Sequence, residues 1–354
     1  MNTDSYFDEA VELLKQIIAI PSLSHNENEV SAFLSAWLEK RGLKVNQELN
    51  NLWCIAPDYD SRRPTILLNS HMDTVKPVEG WDYQPFEPTV EGDRLYGLGS
   101  NDAGASLCSL IQAFRILSSI PRSYNLILGI SAEEEITGKN GIEALLPKLP
   151  TITFGLVGEP TNMHPAIAEK GLMVIDCIVH GKAGHAARNE GENSIYKAMQ
   201  DIEWFRTKNF PQQSNFLGPV KMTVTQINAG TQHNVVPALC QFVVDVRINE
   251  FYSPESLYEE IQKNVHCEVK ARSFRLRSSH IGISHPAVQA CLALGRVPYG
   301  SPTLSDQARM PFPTLKIGPG ESSRSHTANE FIELKEMKEG INLYVKILDG
   351  LMLS

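Results

Sequence analysis

The sequence predicts an α/β protein whose mostly parallel sheet carries helices on both faces, with a second, smaller domain inserted into the chain. Three observations lead to this prediction. Strand-like and helix-like segments alternate up to about residue 165, and their order changes near residue 170. The first alternation of helices and strands resumes after about residue 284. A chain of 354 residues with 42% hydrophobic content is also long enough to bury two separate cores.

The first part of the chain reads as alternating helices and strands. Phe7, Val11, Leu14 and Ile17 recur at helical spacing, so a helix should cover the N-terminal residues. The segments that follow are a helix ending near Gly42, a strand at Leu52 to Ala56, a strand at Ile66 to Leu68, a helix from Ala103 to Leu117, the strand NLILGIS, a helix near Gly141 and the strand FGLVG. This alternation is typical of a parallel sheet covered by helices.

The middle of the chain has a different order. The strand LMVIDCIVHG is followed by the helix SIYKAMQDIEWFRTKNF, the strands VKMTVTQINAG and CQFVVDVRI, the helix SPESLYEEIQKNV and the strand CEVKARSF. The order β-α-β-β-α-β matches the split βαβ arrangement of ferredoxin-like domains. A helix, the strand TLKIG and a long last helix then complete the first architecture. We therefore predict one domain from residues 1–169 and 284–354, and an inserted domain from residues 170–283.

Charge and cysteine content narrow the class of protein. A net charge of −9 and a pI near 5.6 argue against nucleic-acid or anionic-membrane partners, which favour a basic face. No apolar run reaches the roughly 18 residues of a transmembrane helix, and the N-terminus begins with acids, unlike a signal peptide. Six cysteines lie scattered without a C-x-x-C pair, which favours reduced thiols and the cytoplasm, although their even number leaves disulfides open.

The segment LLNSHMDTV places His71 and Asp73 directly after an apolar strand. Alternate residues of a strand share a face, so both side chains should point the same way. A histidine with a carboxylate near enough to fix its ring is suited to binding a metal. The alternative is a polar end to the strand, and the rest of the chain must decide between them.

Three further acidic segments follow apolar strands or glycine-rich turns. Taken alone, Asp102 could cap a helix starting at Ala103, Ser131 and Glu134 have capping-box spacing, and Glu159 before a proline could be a turn residue. However, the three adjacent acids of SAEEE cannot all serve a cap. Two neighbouring carboxylates beside a metal have separate uses, since one binds the ion and the other takes a proton from water.

These polar residues could converge, because ligands of open α/β sheets bind outside the carboxyl ends of the strands. A second histidine, His326, lies in a loop of small polar residues before the last helix, where a solvated histidine is the alternative. A two-metal hydrolase needs such a second nitrogen donor. The set that is complete for two ions bridged by one carboxylate is His71, Asp102, Glu135, Glu159 and His326.

Through seven motifs in the same order and at similar separations, the sequence resembles the M20 metallopeptidase and deacylase family, especially acetylornithine deacetylases and their succinyl-diaminopimelate desuccinylase relatives. The motifs are HMDTV, GLGSNDAGA, SAEEE, VGEPT, GKAGHAA, DVR and SHTANE. The resemblance covers nearly the whole chain, including the inserted domain. It implies a zinc-binding α/β domain with an inserted lid domain that forms a homodimer.

The resemblance also implies a role for individual residues. Two divalent ions are implied, with zinc as the family metal, while the oxygen and nitrogen ligands would suit cobalt or manganese as well. Glu133 receives no role, because relatives usually carry Asp or another polar residue there. The implied roles are His71 and Glu159 on one ion, Glu135 and His326 on the other, Asp102 as the bridge, Glu134 as the general base and Asp73 as the partner of His71.

The inserted domain holds three further candidates. Strand alternation points Arg247 away from its own core, and an arginine suits bidentate binding of a carboxylate, although an ion pair with Asp245 is the alternative. The resemblance implies that Arg247 binds the substrate α-carboxylate and that Asn234 helps to hold the acyl end. It also implies that His185 reaches the partner subunit's site and steadies the oxyanion, whereas a solvated loop histidine is the alternative.

The expected reaction is therefore hydrolysis of an N-acyl amide bond on an amino acid, with N-acetyl- or N-succinyl-L-ornithine of arginine biosynthesis as the expected substrate. A dipeptidase or aminoacylase of the same family is an alternative, and a non-catalytic ligand-binding protein is the alternative outside it. A succinyl group adds a second carboxylate that should need another cation. The candidates, which the sequence does not rank, are Lys170, Lys182, Arg188 and Arg324.

Overall fold

A computed structural model describes residues 3–188 and 190–353. The chain forms two compact units. The first contains the described residues up to Ile167, His280–Tyr299 and residues 305–353, and the second contains Ala168–Ser279 and Gly300–Leu304. Residues 280–283, expected in the inserted domain, lie in the first unit, where the Ile281 N–H donates to the Ile167 carbonyl. Residues 300–304 lie in the second unit, where Ser301 accepts the Lys170 N–H.

The helices and strands are numbered in chain order. The helices are α1 (Asp4–Ile18), α2 (Asn28–Glu39), α3 (Ala105–Ser118), α4 (Ile142–Leu145), α5 (Ser194–Thr207), α6 (Pro254–Asn264), α7 (Pro286–Ala293) and α8 (Leu334–Leu348). The strands are β1 (Val45–Glu48), β2 (Asn51–Ile55), β3 (Thr65–His71), β4 (Thr89–Glu91), β5 (Arg94–Tyr96), β6 (Asn125–Ser131), β7 (Phe154–Val157), β8 (Ala166–Glu169), β9 (Gly171–His180), β10 (Gly184–His185), β11 (Lys221–Ala229), β12 (Val235–Val236), β13 (Leu239–Ile248), β14 (Glu268–Ala271), β15 (Ser279–His280), β16 (Tyr299–Ser301), β17 (Thr314–Lys316) and β18 (Phe331–Glu333).

The central sheet of the first unit confirms the predicted fold class. Six consecutive strands of this nine-stranded sheet run in the order β1-β2-β6-β3-β7-β17. The inner four, β6, β3, β7 and β17, are parallel, whereas β1 and β2 are antiparallel additions at the edge. Parallel strands end at the same edge of a sheet, so the residues that follow β3, β6, β7 and β17 are brought together.

Both faces of this sheet are buried. Every residue of β3 and β6 is buried, as expected for strands covered on two sides. Ile66 and Leu68 pack in the large core with α1, α3 and α8, whereas Leu67 packs on the opposite face with residues of α4. The side chains of a strand alternate between its faces, so a single apolar run supplies both cores.

Local boundaries differ from the predictions where tertiary contacts decide them. The predicted helix at Ala103 begins at Ala105, after a wide turn at Ser100–Gly104. The helix near Gly141 is a single turn, α4. A small antiparallel sheet, β18-β5-β4, was not predicted, because its three-residue strands are too short to show a period.

The second unit is a four-stranded antiparallel sheet with two helices. Its strand order, β11-β13-β9-β14, and its chain order, β9-α5-β11-β13-α6-β14, give the predicted split βαβ arrangement. Strands β9 and β13 bury alternate residues against Phe205 of α5 and Ile261 of α6. Ser253 and Pro254 start α6, where the Ser253 hydroxyl accepts the Ser256 N–H.

The helices and the cysteines relate to two sequence-based expectations, which concerned transmembrane helices and reduced thiols. None of the helices described here has the length and apolar character needed to cross a bilayer. All six cysteines are free thiols, and five of them are buried.

Candidate metal centre

His71, the last residue of β3, is 2% exposed and has a fixed ring orientation. Its Nδ1 lies 2.9 Å from the backbone carbonyl of Asp73. A carbonyl only accepts, so Nδ1 carries the proton and the lone pair of Nε2 is left for a ligand. Nε2 lies 3.3 Å from Asp102, 3.8 Å from Glu159 and 4.0 Å from Glu134.

Asp73 contributes in a different way from the one its spacing suggests. Its Oδ1 is 3.5 Å from His71 Nδ1, farther away than its own backbone carbonyl. The carboxylate instead accepts the backbone N–H groups of Glu134 and Glu135 at 3.1 and 3.2 Å, and the Ser24 hydroxyl at 2.7 Å. Asp73 therefore fixes both the histidine and the backbone that carries the two glutamates.

The acids of SAEEE follow β6 in a turn, and no helix begins there. The capping-box alternative therefore does not form, and the Ser131 hydroxyl donates to Asp306 at 2.5 Å. Glu133 adopts a left-handed φ of 53°, and its carboxylate accepts the backbone and side-chain N–H groups of Asn140. This conformation turns Glu133 into the loop and leaves Glu134 and Glu135 for the centre.

Asp102 lies between the two histidines. Its Oδ1 is 3.3 Å from Nε2 of His71 and its Oδ2 is 3.7 Å from Nε2 of His326. Helix α3 begins three residues later and no side-chain cap forms, so the helix-capping alternative does not hold. A carboxylate with one oxygen toward each histidine has the arrangement of a bridging ligand.

Glu135 and His326 complete the cluster and contact each other. His326, in the loop after β17, has a φ of 57°, and its Nε2 lies 2.9 Å from Glu135. Single ligand atoms of His71, Glu134 and Glu159 lie within 4.8 Å of one another, and so do those of His71, Asp102 and Glu135. The structure thus brings together all five predicted ligands and the predicted base, with His71 shared by both groups.

Burial is the largest influence on the pKa values of the glutamates, and the crowding of carboxylates adds to it. Burial raises the pKa of Glu134 and Glu159 well above the usual range, and neighbouring carboxylates raise both further. Burial also raises the pKa of Glu135, although hydrogen bonding to His326 opposes it. The hydrogen bond with Glu135 raises the pKa of His326 to about 9. A buried set rich in carboxylates and completed by imidazole nitrogens fits divalent cations such as zinc, cobalt or manganese.

Two buried acids that the sequence did not single out support this centre. Glu330 is 2% exposed and accepts the backbone N–H groups of Gly99, Asn101 and Asp102, each at 2.8 Å. Burial and the charge of Asp102 raise the pKa of Glu330 to about 8. Glu330 is the last residue of the SHTANE motif, so this motif was the sequence feature from which a role for Glu330 could have been predicted.

Asp306 has no comparable sequence signal. Its carboxylate binds Ser131 at the end of β6 and Asn69 on β3, at 2.5 and 2.8 Å. Burial raises its pKa to about 6. Asp306 thus links the ends of the two strands that carry His71 and the glutamates.

The remaining predicted residues lie in the second unit. The Arg247 guanidinium makes two hydrogen bonds to Asp245, at 2.8 and 3.1 Å, so the ion pair considered above does form. His185 and Asn234 are exposed neighbours, because β10 pairs with β12 and the Ala186 N–H donates to the Asn234 carbonyl. The structure therefore groups His185 with Asn234 inside this unit.

This chain is similar to several known proteins in sequence or in fold. A peptidase M20 domain-containing protein of Schizosaccharomyces pombe is 28% identical over 357 residues, which cover 96% of this chain and 84% of that protein. Succinyl-diaminopimelate desuccinylase of Wolbachia pipientis subsp. Culex pipiens is 28% identical over 275 residues, covering 72% of this chain and 68% of the desuccinylase. The crystal structure of aminopeptidase PepT from Bacillus cereus has the same fold, with a TM-score of 0.80 at 21% identity and coverage of 97% and 98% of the two chains.

The family itself is established by residues 67–350, which match peptidase family M20/M25/M40. The match includes every residue of the candidate metal-binding cluster, from His71 to His326. This chain therefore belongs to peptidase family M20/M25/M40 and is a metallo-hydrolase.

Proposed function

We propose that this protein is a dinuclear-metal hydrolase that removes an N-acyl group, acetyl or succinyl, from an amino acid. The substrate that we propose is N-acyl-L-ornithine, in arginine biosynthesis. The observation that carries the hydrolytic part is the position of Asp102 between His71 and His326, at the edge of the sheet where the glutamates also meet. The choice of an N-acyl amino acid draws on the sequence motifs and on the similarity to a desuccinylase.

In this proposal His71 and Glu159 hold one ion, Glu135 and His326 hold the other, and Asp102 bridges them. Zinc is the proposed metal, and cobalt or manganese would suit the same ligands. When bound, a pair of divalent ions lowers the pKa of water and polarises the acyl carbonyl. Asp73 keeps the backbone of both glutamates in register with His71, through its two accepted N–H groups.

Glu134 is the proposed general base. It accepts a proton from the attacking water as the new carbon–oxygen bond forms, and it returns that proton to the amine nitrogen as the carbon–nitrogen bond breaks. Burial raises the pKa of Glu134, which makes its carboxylate a stronger base than an exposed glutamate. The products are then a free carboxylic acid and a free amino acid.

Three residues of the second unit are proposed to bind the substrate. Arg247 would bind the α-carboxylate, with Asp245 holding its guanidinium in place. The Nδ1 of His185 accepts the Ala187 N–H, so the proton of the neutral ring is on Nε2, which is a donor suited to an oxyanion. Asn234, the neighbour of this histidine, would hold the acyl end.

We also propose that the protein forms a homodimer through the second unit. Strand β11 is at the edge of its sheet and is exposed along most of its length. Ile227 on this strand is 53% exposed, and on α5 Tyr196 and Met199 are 70% and 59% exposed. An open edge and apolar side chains of this kind favour pairing with a second copy.

The free thiols support a reducing, cytoplasmic location.

Substrate profiling of the metal-loaded protein tests the proposed function. N-acetyl-L-ornithine, N-succinyl-L-ornithine and a set of dipeptides are compared by kcat/KM, with release of the free amine as the readout. We expect at least one N-acyl-ornithine to exceed every dipeptide. Faster hydrolysis of dipeptides would overturn the deacylase assignment, and no metal-dependent hydrolysis of any compound would overturn the enzymatic one.

A further inference from the structure

A row of positive charges lies on the second unit, on the sheet face opposite α5 and α6. Lys221 on β11 is directly paired with Arg247 on β13, which is paired in turn with Leu172 on β9. The neighbouring pair, Met222 and Val246, points to the helix-covered core. Since side chains alternate between faces, Lys221 and Arg247 share the other face.

Lys170 adds a third cation to this row. It precedes β9 by one residue and has the same parity as Leu172, so it continues the row. Burial lowers the pKa of Lys170, and the charges of Lys221 and Arg247 lower it further. This repulsion agrees with the strand register, which places the three cationic groups on one face of the sheet.

The row carries uncompensated charge. Arg247 is neutralised by Asp245, with which it makes both hydrogen bonds. In the described part of the chain, Lys170 and Lys221 have no ion pair with a carboxylate. Three cations and one anion leave a net charge of +2 on one small surface, in a protein whose net charge is −9. Grouped like charges cost free energy unless an anionic ligand offsets them.

Two of the other cations considered for a second carboxylate are already paired with glutamates. Arg324 makes two hydrogen bonds to Glu336, at 2.6 and 3.1 Å. Arg188 is paired with Glu190 at 3.9 Å. Lys182 is exposed and makes no ion pair with a described carboxylate, although its charge contributes to lowering the pKa of Glu192. Of these candidates, Lys170 is the one that lies on the same sheet face as Arg247, and Lys221 joins it there.

We propose that Lys170, Lys221 and Arg247 form a recognition site for two carboxylates, so that the preferred substrate is an amino acid acylated by a dicarboxylic acid, such as a succinyl group, and not by acetate. This inference rests on the proposed function, because it identifies the acyl group of the same substrate. An N-succinyl amino acid carries an α-carboxylate and a terminal carboxylate, which match the net charge of +2. An N-acetyl amino acid carries only the α-carboxylate, which Arg247 binds, and leaves both lysines without a partner.

Two substitutions and a matched control test this site in the metal-loaded enzyme. Lys170→Gln and Lys221→Gln each remove one charge and retain most of the side-chain volume. Lys270→Gln is the control, because Lys270 lies on the same sheet but is paired in register with Asp176. For N-succinyl-L-ornithine we expect kcat/KM to fall by about 10-fold or more in the first two variants, mainly through KM, as for one lost charge-assisted hydrogen bond. For N-acetyl-L-ornithine, and in Lys270→Gln, little change is expected.

The result that would overturn the site is an equal loss for the succinyl and acetyl substrates, or a wild-type enzyme that prefers the acetyl substrate and is unaffected by either substitution. A direct binding measurement separates this outcome from failure of the proposed function. Calorimetric titration with succinate and with acetate requires no turnover. Succinate binding that is weakened in both variants would support the site even if no N-acyl-ornithine were hydrolysed, and absence of succinate binding to the wild-type protein would refute it.

Discussion

Replacement of Glu134 by glutamine should separate catalysis from metal binding. Glutamine has nearly the same volume, and the backbone N–H that holds this residue to Asp73 remains. An amide cannot take a proton from water, so kcat should fall by about two to four orders of magnitude, the usual range for a lost general base. Bound metal should stay near two equivalents, because the proposed ligands are unchanged.

The same substitution should stabilise the metal-free protein above acidic pH. Burial and the nearby carboxylates raise the pKa of Glu134 above the 4.5 expected in the unfolded chain. A raised carboxyl pKa gives stability that is fully present below the unfolded pKa and is lost as the pH rises through the folded pKa. Each unit of pKa difference between the folded and unfolded protein is worth about 1.4 kcal/mol. Glutamine does not ionise, so the variant avoids this loss.

Three measurements on wild type and variant test the argument: kcat, metal content, and Tm of the chelator-treated protein between pH 4 and pH 8. The Tm difference should be small at pH 4 and should grow in favour of the variant as the pH rises. Glu135→Gln is the matched comparison, since the adjacent residue is a proposed ligand and its loss should reduce metal content. If Glu134→Gln lost metal while Glu135→Gln kept it, the two roles would be reversed. A metal-free variant less stable than wild type at pH 8 would refute the electrostatic reasoning.

Three further predictions concern the rest of the site. Asp102→Ala should lose metal and activity together, and excess chelator should inactivate the wild type; an active variant with two bound equivalents would contradict the bridging role. Glu330→Gln should lower the free energy of unfolding by about 1–3 kcal/mol and weaken metal binding. The reason is that the NH₂ group of glutamine cannot accept the backbone N–H that the carboxylate oxygen of Glu330 accepts. An unchanged melting temperature and an unchanged metal titration would count against this prediction. Mixed dimers of Glu134→Gln and His185→Ala subunits should regain activity if His185 acts across subunits, whereas no recovery despite proven exchange would restrict it to its own subunit or to no catalytic role.

The order of elements and the position of the polar residues could be predicted from the sequence because both depend on local patterns. Apolar runs ending in HMD, SAEEE and VGEP marked strand ends, and β3, β6 and β7 end at or just before these segments. Parallel strands bring such ends to one edge whatever the details of packing. The convergence of His71, Glu134 and Glu159 followed from that rule alone.

Tertiary structure decided which of the three neighbouring acids lie in the cluster with His71. Glu133, Glu134 and Glu135 are chemically identical in sequence, but the left-handed backbone at Glu133 and its hydrogen bonds to Asn140 turn it away. Asp306 is separated by 175 residues from the serine that it binds. No local period reports a contact of that range, because it depends on where the chain returns after the second unit.

The row of cations on the second unit also depends partly on a local pattern, strand alternation, and partly on long-range strand pairing. Alternation along β13 predicted that Arg247 points away from its core, and its buried neighbours Val244 and Val246 agree. The sequence did not single out Lys221 and could not rank Lys170 among the candidate cations, because these two lysines are 51 residues apart and become neighbours only through the register of three antiparallel strands. Strand period is fixed by the backbone of one segment, whereas register is fixed by the pairing of several, and only the second brings these charges together.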